Sequence, residues 1–478
     1  MKPCLFLSLA ISVSASAETT EHWYTISLSD ANAGWMRMQD IEAENLRITS
    51  SQEHMTLGRG GTSVTIESTT QWTVDGHGHP IRMEWKQDLG GAPVTTTWSF
   101  QADGIEVAVA QDGRRTVARH PLPEVEWLPP MGVRELLESQ AKAGAKRVIC
   151  QTMVPDLGLA PVSQTYTHVG SEELTVFART VSTTRWNVQT EGMPIHMDIW
   201  FDPSWTMVRT KMQAPFGALQ ASLSTKEEAM RDTGEEPELF ISLFIYPTGD
   251  ANALQHASRA LFRLRSRNGE PLEMPTAGAQ TVMEDDEEGI LLQIDRDGRQ
   301  PPQQWPVDPA TSGRSALIDP EDEEVMKLAA QVTASLPDSA TDFARADGAR
   351  ELVYRWVTRK GLATAFASAS ETARSRTGDC TEHGVLLAAI LRSMGIPSRV
   401  ATGLVWIEGV NAFGWHLWTQ ALVNGEWVDL DATREGPFSA GHILVATSPM
   451  QDSDGQRQLM ALLGMLGNLD IEIVQLER

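Results

Sequence analysis

The chain has 478 residues and a formal charge of −24, with 41% hydrophobic and 21% charged residues. This length supports two or three domains with substantial cores. The acidic balance argues against nucleic acid and anionic lipid as partners and names no positive one.

Lys2, the apolar stretch Leu5–Ile11 and Ala15-Ser16-Ala17 ahead of Glu18 read as a secretory leader cleaved after Ala17. The protein is therefore expected in a periplasm or outside the cell, at a charge of −25 once Lys2 is lost. No later run approaches the roughly 18 apolar residues needed to span a bilayer, so no stable membrane insertion is expected. Cleavage removes Cys4 and leaves Cys150 and Cys380. Two cysteines in so long a chain are no disulfide framework, and no bridge is expected.

From Glu18 to about Thr225 apolar and polar residues alternate with period two, the pattern of half-buried antiparallel strands. Val64, Ile66, Trp72 and Val74 share a face before the turn at Asp75-Gly76. Ile81, Met83 and Trp85 then Val94, Trp98 and Phe100 repeat the pattern, as do Ile105, Val107 and Val109. Met197 and Ile199 follow it again near Ile195, and one helical insertion is expected around Val133–Ala143. Nine of the fifteen tryptophans lie in this region, which fits a large, curved, one-sided sheet spanning residues 18–240. Ordinary core burial accounts for its apolar face better than a ligand groove does.

Next, Leu254, Ala257, Ala260, Leu261 and Leu264 have helical spacing and predict a helix over Asp250–Ser266. Residues 270–322 read as a connector, with an acidic run at Met283–Gly289, a short strand at Ile290–Ile294 and Pro301-Pro302. The acidic run lacks the one-residue alternation of an EF-hand loop and reads as a solvated loop. Helical patterns resume over Pro320–Ala334 and Ala344–Lys360, within a C-terminal domain assigned to 321–478. The expected fold class is α+β, a β-rich N-terminal domain followed by a smaller α+β domain.

Gly378-Asp379-Cys380-Thr381-Glu382-His383 carries the chemistry. Asp379 and Glu382 have capping-box spacing, which places Cys380 at the first position of a helix running to Met394. Backbone N–H groups and the positive end of the helix dipole there favour an anion, and a thiolate is one. Beyond Gly395 and Pro397, Arg399–Ile407 reads as a strand. Trp415–Val423, Asn424-Gly425 and Glu426–Asp431 read as a hairpin with a two-residue type I′ turn. That register opposes Val423 to Glu426 and Gln420 to Asp429. It places His416 diagonally beside Asp431, within side-chain reach, and Asp429 further away. Cys380 is thus the expected nucleophile, His416 its proton partner and Asp431 the group that orients the imidazole. Trp415 and Trp418 flank the histidine and are expected to line the substrate side. A zinc site of Cys380, His383, His416 and His442 is set aside, because no compact pair resembles a zinc knuckle. No metal or other cofactor is expected.

Residues Ala369–Thr433 resemble the transglutaminase-like superfamily core, a relative of the papain-type fold. The match rests on Gly378–His383, Leu391-Arg392, Gly395–Val400, Gly403-Leu404, Gly414–Trp418 and Trp427–Thr433 in order and at family-like spacing. The resemblance implies the same roles for Cys380, His416 and Asp431. It departs from the family at Ala432, where proline is common after the aspartate. Trp356 is the family-like candidate for a further oxyanion donor and is not carried into the site. The implied function is an exported acyl-transfer enzyme acting on amide bonds of proteins or peptides, by hydrolysis or amine transfer. The competing expectation is a non-catalytic envelope binding or assembly protein that holds a lipid or peptide on its N-terminal sheet.

Overall fold

The computed structural model describes residues 17–59, 62–89, 93–111, 113–193, 196–214, 217–234, 236–238, 244–252, 254–267, 269, 271–298, 307–360, 367–452 and 468–477. Residues 1–16 of the expected leader, Ile195 and Pro301-Pro302 lie outside these.

Period-two alternation builds a single 14-stranded antiparallel sheet. Eight strands from Glu18–Leu28 to Arg114–His120 run as a meander, and six more from Arg147–Thr152 to Gly217–Ser224 run as another. The two join where Glu18–Leu28 pairs with Gly217–Ser224, with Trp23 opposite Ser224 and Leu28 opposite Leu219. Between the meanders lies the helix Pro130–Lys142, with Pro130 at its first turn, where the missing N–H costs nothing. Its Val133 and Leu137 pack on Val148, Tyr166 and Trp186 of the second meander. Trp72, Met83, Trp85, Trp98 and Ile105 form a separate core in the first. Each such side chain contributes about 1.5–3 kcal/mol by leaving water, so burial among these strands accounts for the tryptophan-rich face.

The connector departs from expectation. Arg259–Ser266 is a strand, not a helix, preceded only by a short 3-10 turn at Leu254–His256. Ala260, Phe262 and Leu264 alternate inward, and Phe262, which the helical spacing left out, is fully buried. The strand pairs on one side with Gly289–Asp295 and on the other with Leu469–Glu477, and Gln280–Asp286 adds an outer strand. Part of the acidic run is thus strand, and Arg263 faces Glu284, Asp286 and Glu288 within ion-pair distance. Pairing with a strand some 200 residues away decides the conformation, and local spacing cannot register it.

The helices Glu323–Ser335, Asp342–Trp356 and Ala369–Ser375 surround the helix Cys380–Ser393. That last helix is buried from Thr381 to Arg392, as its Val385–Leu391 run, apolar on every side, requires. It lies on a four-stranded antiparallel sheet ordered Glu426–Leu430, Ala412–Val423, Ser398–Ile407, His442–Ser448. The connector sheet packs on the same sheet, with Phe262 edge-to-face against Phe413 at 5.7 Å. The C-terminal part is α+β as expected, but among the described residues as a whole strands dominate. Arg114 of the large sheet pairs with Asp319 and Asp322, the latter capping Glu323–Ser335.

Candidate active site

Asp379 accepts from Thr381 N–H at 2.9 Å, and Glu382 turns back to accept from Asp379 N–H at 2.8 Å. The capping box is complete, and Cys380 stands half-buried at the first helical position. Glu382 also accepts from Ala367 N–H at 2.9 Å. Burial, reinforced by the neighbouring Asp379, pushes the Glu382 carboxyl up to about 7.

Gly384 brings this helix onto the histidine strand. A Cβ there would come within 2.2 Å of Leu417 Cδ2, and Thr419 donates to the Gly384 carbonyl at 2.9 Å. The helix start is also tied toward the aspartate turn. Gly378 pairs with Lys360, whose ammonium donates to the Thr433 carbonyl at 3.2 Å.

The hairpin has the expected register: Val423 faces Glu426 and Gln420 faces Asp429. Asn424 and Gly425 have φ of 53° and 83°, as a type I′ turn requires. Pairing stops at Leu430, so Asp431 leaves the ladder and enters a tight turn. Its Oδ1 accepts from Thr433 N–H at 2.8 Å and from Thr433 Oγ1 at 2.7 Å. Its Oδ2 lies 3.0 Å from His416 Nε2. Burial favours the neutral acid, but the two imidazoles beside it hold Asp431 well below the usual carboxylate range. The ionised carboxylate accepts, so His416 carries its proton on Nε2 and keeps Nδ1 for other chemistry.

Asp429 has a different environment. Its Oδ1 accepts from Trp418 Nε1 and Gln420 Nε2, both at 2.7 Å, and its Oδ2 accepts from Ala279 N–H at 2.7 Å. It thus staples the hairpin to the connector sheet.

The two tryptophans separate. Trp415 is half-buried, touching the cores on both sides of the sheet. Trp418 is only 1% exposed, with its ring stacked 6.1 Å from that of His416. The expected substrate contact is therefore corrected for Trp418: it walls the histidine from behind and anchors Asp429. Trp356 donates its indole N–H to the Ala373 carbonyl at 2.8 Å, which commits that donor elsewhere.

One neighbour was not expected in this place. His442, weighed in the sequence only as a zinc ligand, has its Nε2 3.1 Å from the same Oδ2 of Asp431. The nitrogens of His416 and His442 and the Asp431 oxygen lie within 4.8 Å of one another, a spacing that a divalent ion can also use. Hydrogen bonding through Nε2–H groups accounts for the same convergence.

Residues 327–432 match the family described as the transglutaminase-like superfamily. The transglutaminase-like core therefore takes in Cys380, His416 and Asp431. None of the curated proteins matches the chain. Among solved structures, a candidate cysteine protease from Cytophaga hutchinsonii is 16% identical with a TM-score of 0.30, covering 45% of this chain and 89% of its own. A β-barrel-like domain of unknown function, DUF1849, from Brucella abortus is 11% identical with a TM-score of 0.34, over 43% and 95%. The periplasmic domain of TgpA from Pseudomonas aeruginosa, bound to ethylmercury, is 13% identical with a TM-score of 0.24, over 40% and 95%. No described helix of the chain is long and apolar enough to cross a membrane.

Proposed function

We propose that the protein is an exported, cysteine-dependent acyl-transfer enzyme acting on amide bonds of proteins or peptides. The observation that carries the reading is the buried Asp431 carboxylate accepting from His416 Nε2, in the same domain whose central helix opens on Cys380. His416 Nδ1 takes the proton from the Cys380 thiol, and the thiolate attacks the amide carbon. The oxyanion that forms is met by the Cys380 backbone N–H at the helix start. As the C–N bond breaks, His416 returns its proton to the leaving amine, and a thioester remains on Cys380. Water or a second amine then attacks the thioester while His416 takes its proton, and the thiol is regenerated. Asp431 stabilises the imidazolium and holds its tautomer throughout. Trp415 is the aromatic surface assigned to the substrate.

The leader-like N-terminal segment supports export to a periplasm or beyond. The test is labelling of the mature chain with iodoacetamide at neutral pH, together with mass spectrometry of a glutaminyl peptide incubated with and without a primary amine. Cys380 is expected to react faster than an ordinary exposed thiol, and Cys380→Ala to abolish turnover. Ordinary reactivity together with unchanged turnover in Cys380→Ala would refute the reading.

A further inference from the structure

The proposed chemistry uses one imidazole on Asp431, and the structure places two. His442 comes from the strand His442–Ser448, which pairs with Ser398–Ile407 through a register shift between Thr402 and Gly403. Its side chain is fully buried, stacked on Phe438 at 4.2 Å and edge-on to Trp418 at 5.3 Å. Its Nε2 faces Asp431 Oδ2 at 3.1 Å, and its Nδ1 lies 2.9 Å from the Ser439 carbonyl oxygen. The Ser439 hydroxyl is more distant from Nδ1, at 3.4 Å.

Both ring nitrogens face oxygens that accept, and Nδ1 also has the Ser439 hydroxyl, which can donate to it. Burial outweighs the support of the Asp431 carboxylate and, with the charges of His416 and Arg434, holds His442 below the usual imidazole range. Of the two neutral tautomers, the one with its proton on Nε2 serves the ionised carboxylate, the stronger acceptor, and leaves Nδ1 to the Ser439 hydroxyl. The environment of Asp429 also includes His442.

We propose that His442 is a positioning residue for acyl transfer, donating from Nε2 to Asp431 Oδ2 and so fixing the carboxylate on which His416 is aligned. This rests on the reading of Cys380, His416 and Asp431 given above. The effect is geometric: the carboxylate is pinned at Oδ1 by Thr433 and at Oδ2 by two imidazoles, and so cannot rotate away from His416.

The experiment is the pH profile of Cys380 carboxamidomethylation by iodoacetamide on the full mature chain, with Cys380 followed by peptide mass spectrometry and a chelator present. In the wild type a limb below neutrality should report thiolate paired with imidazolium, and His416→Ala should remove it. His442→Leu should lower the rate at pH 6.5 on the order of tenfold, because the imidazole loses its alignment. His442→Gln, which can present an N–H at the same place, should restore most of that rate. A profile unchanged by His416→Ala refutes the Cys380–His416 reading itself. Loss of the limb in His416→Ala with a wild-type profile in His442→Leu refutes only the role of His442. Nitrogen-15 spectra of histidine-labelled wild-type protein test the donor without any substitution. A protonated His442 Nε2 at pH 7 supports the proposal, and an unprotonated one overturns it. A stoichiometric divalent ion in the purified protein, lost in His442→Leu, would also overturn it.

Discussion

Replacing Asp431 by asparagine separates the chemical carboxylate from its structural neighbour. Asp431 accepts four hydrogen bonds, two on each oxygen. An asparagine carbonyl can keep the two from Thr433, which places its NH2 against both imidazoles. His416 must then accept at Nε2, which moves its proton to Nδ1, the nitrogen required to receive the proton of Cys380. Loss of the correct tautomer in a triad of this type costs about 10⁴ in kcat, equivalent to roughly 5 kcal/mol of barrier. Asp429→Asn is the control. Its carbonyl keeps Trp418 and Gln420, and only the Ala279 N–H is left facing a donor. That mismatch costs about 1–3 kcal/mol of stability and leaves His416 untouched. The assay is kcat/KM on a peptide amide, with Cys380 alkylation followed in parallel and resolved from Cys150, whose thiol burial pushes up. Asp431→Asn is expected to lose three to four orders of magnitude, and Asp429→Asn to stay within about tenfold of wild type while unfolding earlier in urea. A larger activity loss in Asp429→Asn than in Asp431→Asn would refute the reasoning.

Three further outcomes follow from the same geometry. Gly384→Val places a branched side chain where even a Cβ meets Leu417 Cδ2 at 2.2 Å. It should cost about 1–3 kcal/mol and reduce Cys380 alkylation more than urea stability, because it pushes the nucleophile's helix off the histidine strand. Glu382 is held at about 7 by burial and by Asp379. A carboxyl raised in the folded state contributes stability that is fully present below its unfolded value near 4.5 and is lost as pH rises through 7. Urea midpoints should therefore fall across that window, by an amount equivalent to about 3 kcal/mol at most, and Glu382→Gln should flatten the fall. Asn424→Val puts a β-branched residue at φ 53°; it should destabilise the hairpin by about 1–2 kcal/mol, read as faster amide exchange along Ala412–Leu430.

What the sequence revealed, it revealed through local chemistry. The capping box around Cys380 spans four residues and the Asn-Gly turn spans two, so each fixes its geometry without help from distant parts of the chain. The choice of Asp431 over Asp429 follows from the turn alone, and the contact with His416 is present. The failures involve partners that the local pattern does not assign. Arg259–Ser266 has apolar residues at both helical and strand spacing, and its pairing with Leu469–Glu477 selects the strand. Trp418 looked available because it sits two residues from His416. Its indole is committed to Asp429 and its face is closed by Phe438 and His442.

His442 is the most informative of these misses, because no local pattern marks it. It stands 26 residues beyond His416 on the far edge of the sheet, opposite Val405. A hairpin can supply a histidine and an aspartate, but an aspartate at a strand end has a free carboxylate torsion. Alignment of a proton-transferring imidazole tolerates little of that freedom. The molecule limits it with donors from two other places, Thr433 in the following turn and His442 on the far-edge strand of the sheet. The hairpin brings the pair together, and contacts from the rest of the sheet hold it in one geometry.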